Sequence, residues 1–287
     1  MSRHLVTQRG VALIAVLWLI AAMSVITAGI VQAVRGEIRT VGHQRQSAVA
    51  GALADAAMLL ALQSLHARQQ EPLSTIQTLP VEFEGIHFDV VVRPLNGLLD
   101  INNATVALLA DFYRYAGNLP PEAAQALAQA TVQTRQRKNA KGGAQGFDAI
   151  EDLLGVPQMT YGLYAKLSDS VTADLKESSG RVNPMAAPAT LLEVLAGGNA
   201  ARANDLAAKR DLNPNQMDAS FLKLDYIETT PSRNLRLQVN VRLPDGGEVR
   251  RIWSVYWGTD PRSMLPWRLL WSRSTLLAAD SAANPSL

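Results

Sequence analysis

Between Arg9 and Arg35 the chain carries no charged residue, and Val11–Val34 reads VALIAVLWLIAAMSVITAGIVQAV. As a helix this stretch extends roughly 36 Å at ~1.5 Å per residue, enough to cross a hydrocarbon core of about 30 Å with some tilt. Arg3 and Arg9 precede it with no acidic residue before the run, which by the positive-inside rule places the N-terminus in the cytoplasm. From Arg35 to about Arg68 no proline interrupts the chain. There Ile38, Val41, Arg45, Ala48, Ala52 and Leu59 recur at helical spacing in an alanine-rich background. The pattern predicts one long helix with a transmembrane half (11–34) and an amphipathic half (35–71), ended by Glu71-Pro72.

Three readings fit the N-terminus. A cleaved secretory signal is one, with Val31-Gln32-Ala33 as a small-residue site, although the run is longer than the ~7–15 residue apolar region of such signals. A plain signal anchor is the second. The third is a prepilin-type signal, in which a short basic leader (1–10) ends in glycine and is cut on the cytoplasmic side. There Gly10 lets the backbone enter a peptidase cleft with no side chain in the way. Cleavage would fall between Gly10 and Val11, and the uninterrupted helix beyond the run favours this reading.

Composition narrows the rest. Cysteine is absent, which excludes a disulfide framework, a thiolate-zinc site and a thiol nucleophile. The four histidines are scattered, and a net charge of +2 makes no bulk electrostatic case for nucleic acid.

After the long helix, residues 81–96 read as a strand, and 235–243 and 248–257 as a hairpin around Pro244-Asp245-Gly246-Gly247. Pro266–Arg273 reads as a further strand, and 276–287 as a disordered tail. The expected fold is α+β. Its long N-terminal helix covers a small antiparallel sheet (81–96 and 225–275), which is interrupted by a large α-helical insertion (97–220). A repeat lies inside the insertion: Gly97, Asp100, Ala104, Leu108 and Leu109 recur as Gly180, Asn183, Ala187, Leu191 and Leu192, 83 residues on. Each copy reads as a glycine turn, an Asx residue bonding its own backbone, and Thr105 or Pro188 opening a helix. Helices at 123–136, 148–154, 161–167, 189–195 and 200–210, joined by tight turns, look like helix-hairpin-helix units. Many such units bind DNA through a Pro-Gly-x-Gly turn, whereas Pro157 is followed by Gln158, Met159 and Thr160. The basic cluster Arg135–Lys141 reads as a solvated helix end.

In this order of parts the chain resembles the K-type minor pseudopilin of type II secretion systems, the general secretion pathway protein K family. The residues that carry the resemblance are the Arg9-Gly10/Val11-Ala12-Leu13 junction, Gly180-Arg181-Val182-Asn183, Phe147–Leu154, and Leu163–Leu167 leading to Val171-Thr172. The resemblance implies N-methylation of Val11 after cleavage. Most pilin-like proteins carry Glu at the fifth mature position and the K type does not; here that position is Ala15. A subunit without the glutamate need not dock on the N-terminus of an earlier subunit, since a buried carboxylate is costly unless partnered. The resemblance therefore implies a first, or tip, subunit. Its implied partners are the I- and J-type minor pseudopilins, the major pseudopilin, the prepilin peptidase and the inner-membrane assembly platform, with a secreted substrate or secretin as further candidates. Its implied place is the inner membrane, single-pass, with the C-terminal part periplasmic and incorporated into the pseudopilus.

Some members of that family bind calcium through an acidic stretch after the first helix-hairpin. Here the matching stretch, Thr134–Lys141, is basic. Asp211, Asn213, Asn215 and Asp218 start like a calcium loop but lack its glycine and closing glutamate, so turn residues are the expected reading and no cofactor is expected. No catalytic constellation is legible, and Glu151-Asp152 read as first-turn carboxylates of a helix. The competing function is a membrane-anchored binding module that uses its helix-hairpins, for example on DNA.

Overall fold

The structure, a computed structural model, describes residues 8–68, 72–137, 145–175, 178–212, 219–244 and 246–277. The chain divides into two units, Met1–Ala52 and Leu53–Leu287.

The first unit is helical throughout its described part, the opening of α1 (Gln8–Ala67). Leu13 to Ile26 present their apolar side chains outward. The two hydroxyls in this stretch are satisfied by the helix itself, Ser24 Oγ donating to Ile20 O and Thr27 Oγ1 to Met23 O, both at 2.8 Å. No polar group there needs water, which is the condition for a helix in hydrocarbon.

The second unit contains the end of α1, a sheet and a helical region. Five antiparallel strands run in the order β1 (Gln77–Phe83), β2 (Ile86–Pro94), β5 (Asn234–Arg242), β6 (Glu248–Trp257), β7 (Trp267–Leu277). The α+β class and the small antiparallel sheet are as expected. The single strand expected at 81–96 is instead the hairpin β1–β2. Glu84 (φ 51°) and Gly85 (φ 74°) both lie in the left-handed region, which makes a two-residue turn whose twist matches the strands it joins. A glutamate at the first turn position is not the usual signal, so the turn is hidden in sequence.

The inward face of the α1 end also differs from expectation. Ala54, Ala57, Met58, Ala61, Leu62 and Leu65 are buried, whereas Leu59 and Val41 of the expected stripe are exposed. Small alanines let a helix come close to a sheet, so the packed side is the small side. The helix stops at Ala67, short of Glu71-Pro72.

One face of the sheet carries Leu235, Leu237, Val239 and Val241 of β5 opposite Val255, Trp253, Arg251 and Val249 of β6. Arg251 and Trp253 identify this as the face under α1, because both hold Asp55. Arg251 donates from Nε to Oδ1 at 2.7 Å and from Nη2 to Oδ2 at 3.1 Å, and Trp253 Nε1 donates to Oδ1 at 3.2 Å. His66 meets Trp257 edge-on, 6.3 Å between ring centroids. Stretches Leu13–Thr27 and Val41–Ala67 of α1 are both apolar enough to consider for a membrane. The fixed Asp55 and the buried alanines make the end of the latter a packed core helix. Asp55→Ala should lower unfolding stability by about 1 kcal/mol, since the pair is bidentate but partly exposed. A shift in the denaturant midpoint with an unchanged slope would check it.

The helical region lies between β2 and β5 in sequence. It contains β3 (Leu99–Asp100), α2 (Val106–Tyr115), α3 (Pro121–Arg135), α4 (Tyr161–Leu167), β4 (Val171–Thr172), α5 (Ala189–Leu195) and α6 (Ala200–Leu212). The expected helix at 148–154 is a short 3-10 turn, Ile150–Gly155, cut off before Pro157. Leu108, Leu109, Phe112, Tyr113, Leu127, Leu191, Leu192 and Leu195 share one buried core. Thr105 and Thr160 cap α2 and α4 through their side chains.

Candidate functional site

The repeated turns are the centre of the helical region. In the first copy Asp100 Oδ1 accepts from Asn102 N at 2.9 Å; in the second, Asn183 Oδ1 accepts from Met185 N at 3.0 Å. Both are the same Asx turn. After each turn comes a helix that starts at an equivalent position, α2 and α5. The strand positions Leu99 and Val182 also correspond, and each pairs in parallel, with Val171 and with Ile227. Each glycine packs on the other copy: a Cβ at Gly97 would meet Ala186 and one at Gly180 would meet Asn103, positions again 83 residues apart.

An arginine closes each copy. Arg135, in the last turn of α3, donates Nη1 to Ile101 O and Nη2 to Ala104 O, both at 2.9 Å. Arg210, in the last turn of α6, donates Nη1 to Pro184 O at 3.3 Å and Ala187 O at 2.5 Å. The acceptors are the same two carbonyls of the repeat. Arg135 is therefore not part of a solvated basic cluster; burial lowers its pKa, while Asp100 and Tyr113 act in the opposite direction. Lys138–Lys141 lie outside the described residues.

A cross-strand row joins this region to the other face of the sheet. Arg93, Arg236, Ser254 and Trp271 are neighbours in register on β2, β5, β6 and β7. Arg93 Nη1 donates to Ala186 O at 2.7 Å, and Arg236 donates to Asp169 O and Val171 O at 3.3 and 3.2 Å. Ser254 Oγ and Trp271 Nε1 both donate to Asp174, at 3.0 and 2.7 Å. Burial pushes both guanidinium groups down to about 10, helped at Arg93 by Arg210 and Arg236 and opposed at Arg236 by Asp174 and Asp169. Beside this seam lies a cavity of about 1180 Å³ whose lining includes Arg135, Gln145–Glu151, Asp174 and Leu270–Arg273, with Glu151 and Arg273 paired to each other.

The residues expected to carry function are distributed as follows. Gly10 and Val11 lie in the first turns of α1, and Ala15 is exposed on the same helix among Leu13, Ile14, Leu17 and Trp18. Residues 1–7 of the leader lie outside the described residues. Asp211 accepts from Arg210 Nε at 2.8 Å, so its carboxylate already has a cation. Asn213, Asn215 and Asp218 lie outside the described residues, and among the described ones no group of three or more His, Asp or Glu could hold a metal. Asp152 Oδ2 caps its own turn, accepting from Asp148 N and Ala149 N, and Glu151 pairs with Arg273. The arginine clamps, the seam and the Asp55 grip were not foreseen. Their partners are backbone carbonyls or residues far away in sequence, and residue type alone gives no signal for either.

The fold is similar to that of a chain in the crystal structure of the GspK-GspI-GspJ complex from the enterotoxigenic Escherichia coli type 2 secretion system. The TM-score is 0.52 at 16% identity, covering 83% of this chain and 99% of that one. No protein-family model matches the chain, and no curated protein matches it.

Proposed function

We propose that the chain is a minor pseudopilin of a type II secretion system, placed at the tip of the periplasmic pseudopilus. There it nucleates assembly with I- and J-type partners and aids export of folded proteins. The observation that carries this is one helix with two contrasting ends. Leu13–Thr27 exposes an uncharged apolar surface, and Leu53–Ala67 is gripped on a five-stranded sheet. The similarity to a chain of the secretion-system complex supports the same reading.

In this reading residues 1–10 are a cytoplasmic leader, Val11 becomes the methylated N-terminus, and Leu13–Thr27 belongs to the single inner-membrane span. Ala15 leaves the subunit without the carboxylate that would seek a preceding subunit's N-terminus. The helical region is an insertion of helix-hairpin-helix units serving structure rather than DNA. The clamping arginines point inward to carbonyls, and the turn after Pro157 has no glycines for a phosphate to approach. The protein needs neither cofactor nor catalytic site for this role.

Intact mass of the membrane-extracted chain, expressed with and without a prepilin peptidase, tests the reading. Loss of residues 1–10 with one added methyl is expected, and Gly10→Val should leave the chain uncut. Loss through Ala33, or an uncut wild-type chain, overturns it. Salt-dependent retention on DNA would then favour the binding-module alternative.

A further inference from the structure

A second cavity, of about 530 Å³, is walled by the 3-10 turn Leu95–Gly97, the segment before β5, Tyr256 of β6 and the start of β7. Asn96, in that turn, lines it and is 6% exposed. Its Nδ2 donates to Thr230 O at 2.7 Å and to Glu228 Oε1 at 3.3 Å. Turning the amide over would set Oδ1 against those two acceptors, so its orientation is fixed. Oδ1 is then a buried acceptor with no donor among the described residues. Such an atom is destabilising, and folded proteins satisfy it with water or a ligand.

The charged groups of this cavity point the same way. Glu228 is half-buried beside Asn96, and its hydrogen bonds come from neutral groups, Asn96 Nδ2 and Ser179 Oγ. Arg233 and Arg268 line the same cavity and are both exposed. Arg268 stacks on Tyr256, 5.6 Å from guanidinium carbon to ring centroid, which fixes its place and uses none of its N–H donors. Among the described residues neither arginine makes an ion pair, and neither does Glu228. The other acid on the wall, Asp174, is already held by Ser254 and Trp271. One carboxylate and two guanidiniums therefore share a cavity without meeting.

We propose that this cavity binds a small amino-acid zwitterion, its ammonium donating to Asn96 Oδ1 and Glu228 and its carboxylate accepting from Arg233 and Arg268. An ammonium has three donors, enough for the amide oxygen and the carboxylate together. A guanidinium matches a carboxylate in shape as well as charge. A ligand with one charge alone would leave the opposite set unmatched. A volume of about 530 Å³ suits a small molecule rather than a segment of a partner protein. The site is independent of the assembly role proposed above.

Equilibrium dialysis of the full chain in detergent tests this, against a mixture of the L-amino acids, β-alanine and its longer straight-chain homologues, with retained compounds identified by mass. Retention of one compound or a small set, at one molecule per chain, is expected. An excess of the same compound should displace it. Its amide, which lacks the carboxylate, and its N-acetyl derivative, which lacks the ammonium, should not. Arg233 and Arg268 are exposed, so Arg233→Gln and Arg268→Gln should keep the wild-type unfolding midpoint while each weakens retention roughly tenfold or more. Glu228→Gln should weaken it as well. Retention no greater than in a chain-free control would mean that the cavity holds water only, and overturns the proposal. Displacement by either derivative as readily as by the parent compound, or unchanged retention in both arginine variants, also overturns it.

Discussion

Gly180→Ala should be the most damaging single-methyl change in the chain, lowering unfolding stability by about 2–5 kcal/mol. Two costs meet there. Gly180 has φ +73°, where an L side chain is strained by about 1–2 kcal/mol. Its new Cβ would also fall 2.5 Å from Asn103 C and closer still to Asn103 O, backbone atoms that cannot swing away. That overlap costs about 1–3 kcal/mol or more. Two other glycines separate the terms. Gly85 has φ +74° with open space around it, so Gly85→Ala should show strain alone. Gly97 lies outside the left-handed region but would place its Cβ 2.5 Å from Ala186 Cβ, so Gly97→Ala should show overlap alone. Denaturant unfolding of the three variants should rank Gly180→Ala well above both others. Equal losses at Gly85 and Gly180 would mean that the two turns are not in close contact.

The repeat behind this prediction was legible because its signal is local. A turn needs glycine at one place and an Asx residue at another, and both recur at a single offset. The apolar run of α1 and the alternation of 235–243 are equally local, being periods of one element. The first hairpin was not legible because Glu84-Gly85 is an unusual pair for its turn, so β1 and β2 read as one strand. The packed side of α1 was misjudged for a different reason. Alanine is weak in any apolar stripe, yet close packing on a sheet rewards it, and Leu59 drew attention to the wrong side. The row Arg93, Arg236, Ser254, Trp271 is set by strand register across four strands. Register brings together residues as far apart as 93 and 271, and no spacing rule reports that.

The arginine clamps provide the second large effect. Arg210 is 5% exposed, and its guanidinium serves Pro184 O and Ala187 O while Nε serves Asp211. Arg210→Met keeps the stem and removes the fork, leaving two carbonyls of the second turn without these donors. Bonds from a charged donor contribute about 1.5–3 kcal/mol each, and the Asp211 pair is exposed on one side and adds little. A loss of about 3 kcal/mol is expected. Arg135→Met should cost less, because Arg135 is only partly buried although its two bonds match those of Arg210. Lysine should not restore either site, since one ammonium on a flexible stem cannot reproduce a planar fork aimed at two fixed oxygens. Equilibrium unfolding of Arg210→Met, Arg210→Lys and Arg135→Met in one detergent would decide the order. If lysine restored Arg210 fully, charge alone would be what the turn requires. Failure of lysine would leave geometry as the cause, and the matching carbonyl pairs would then mark one clamp used twice.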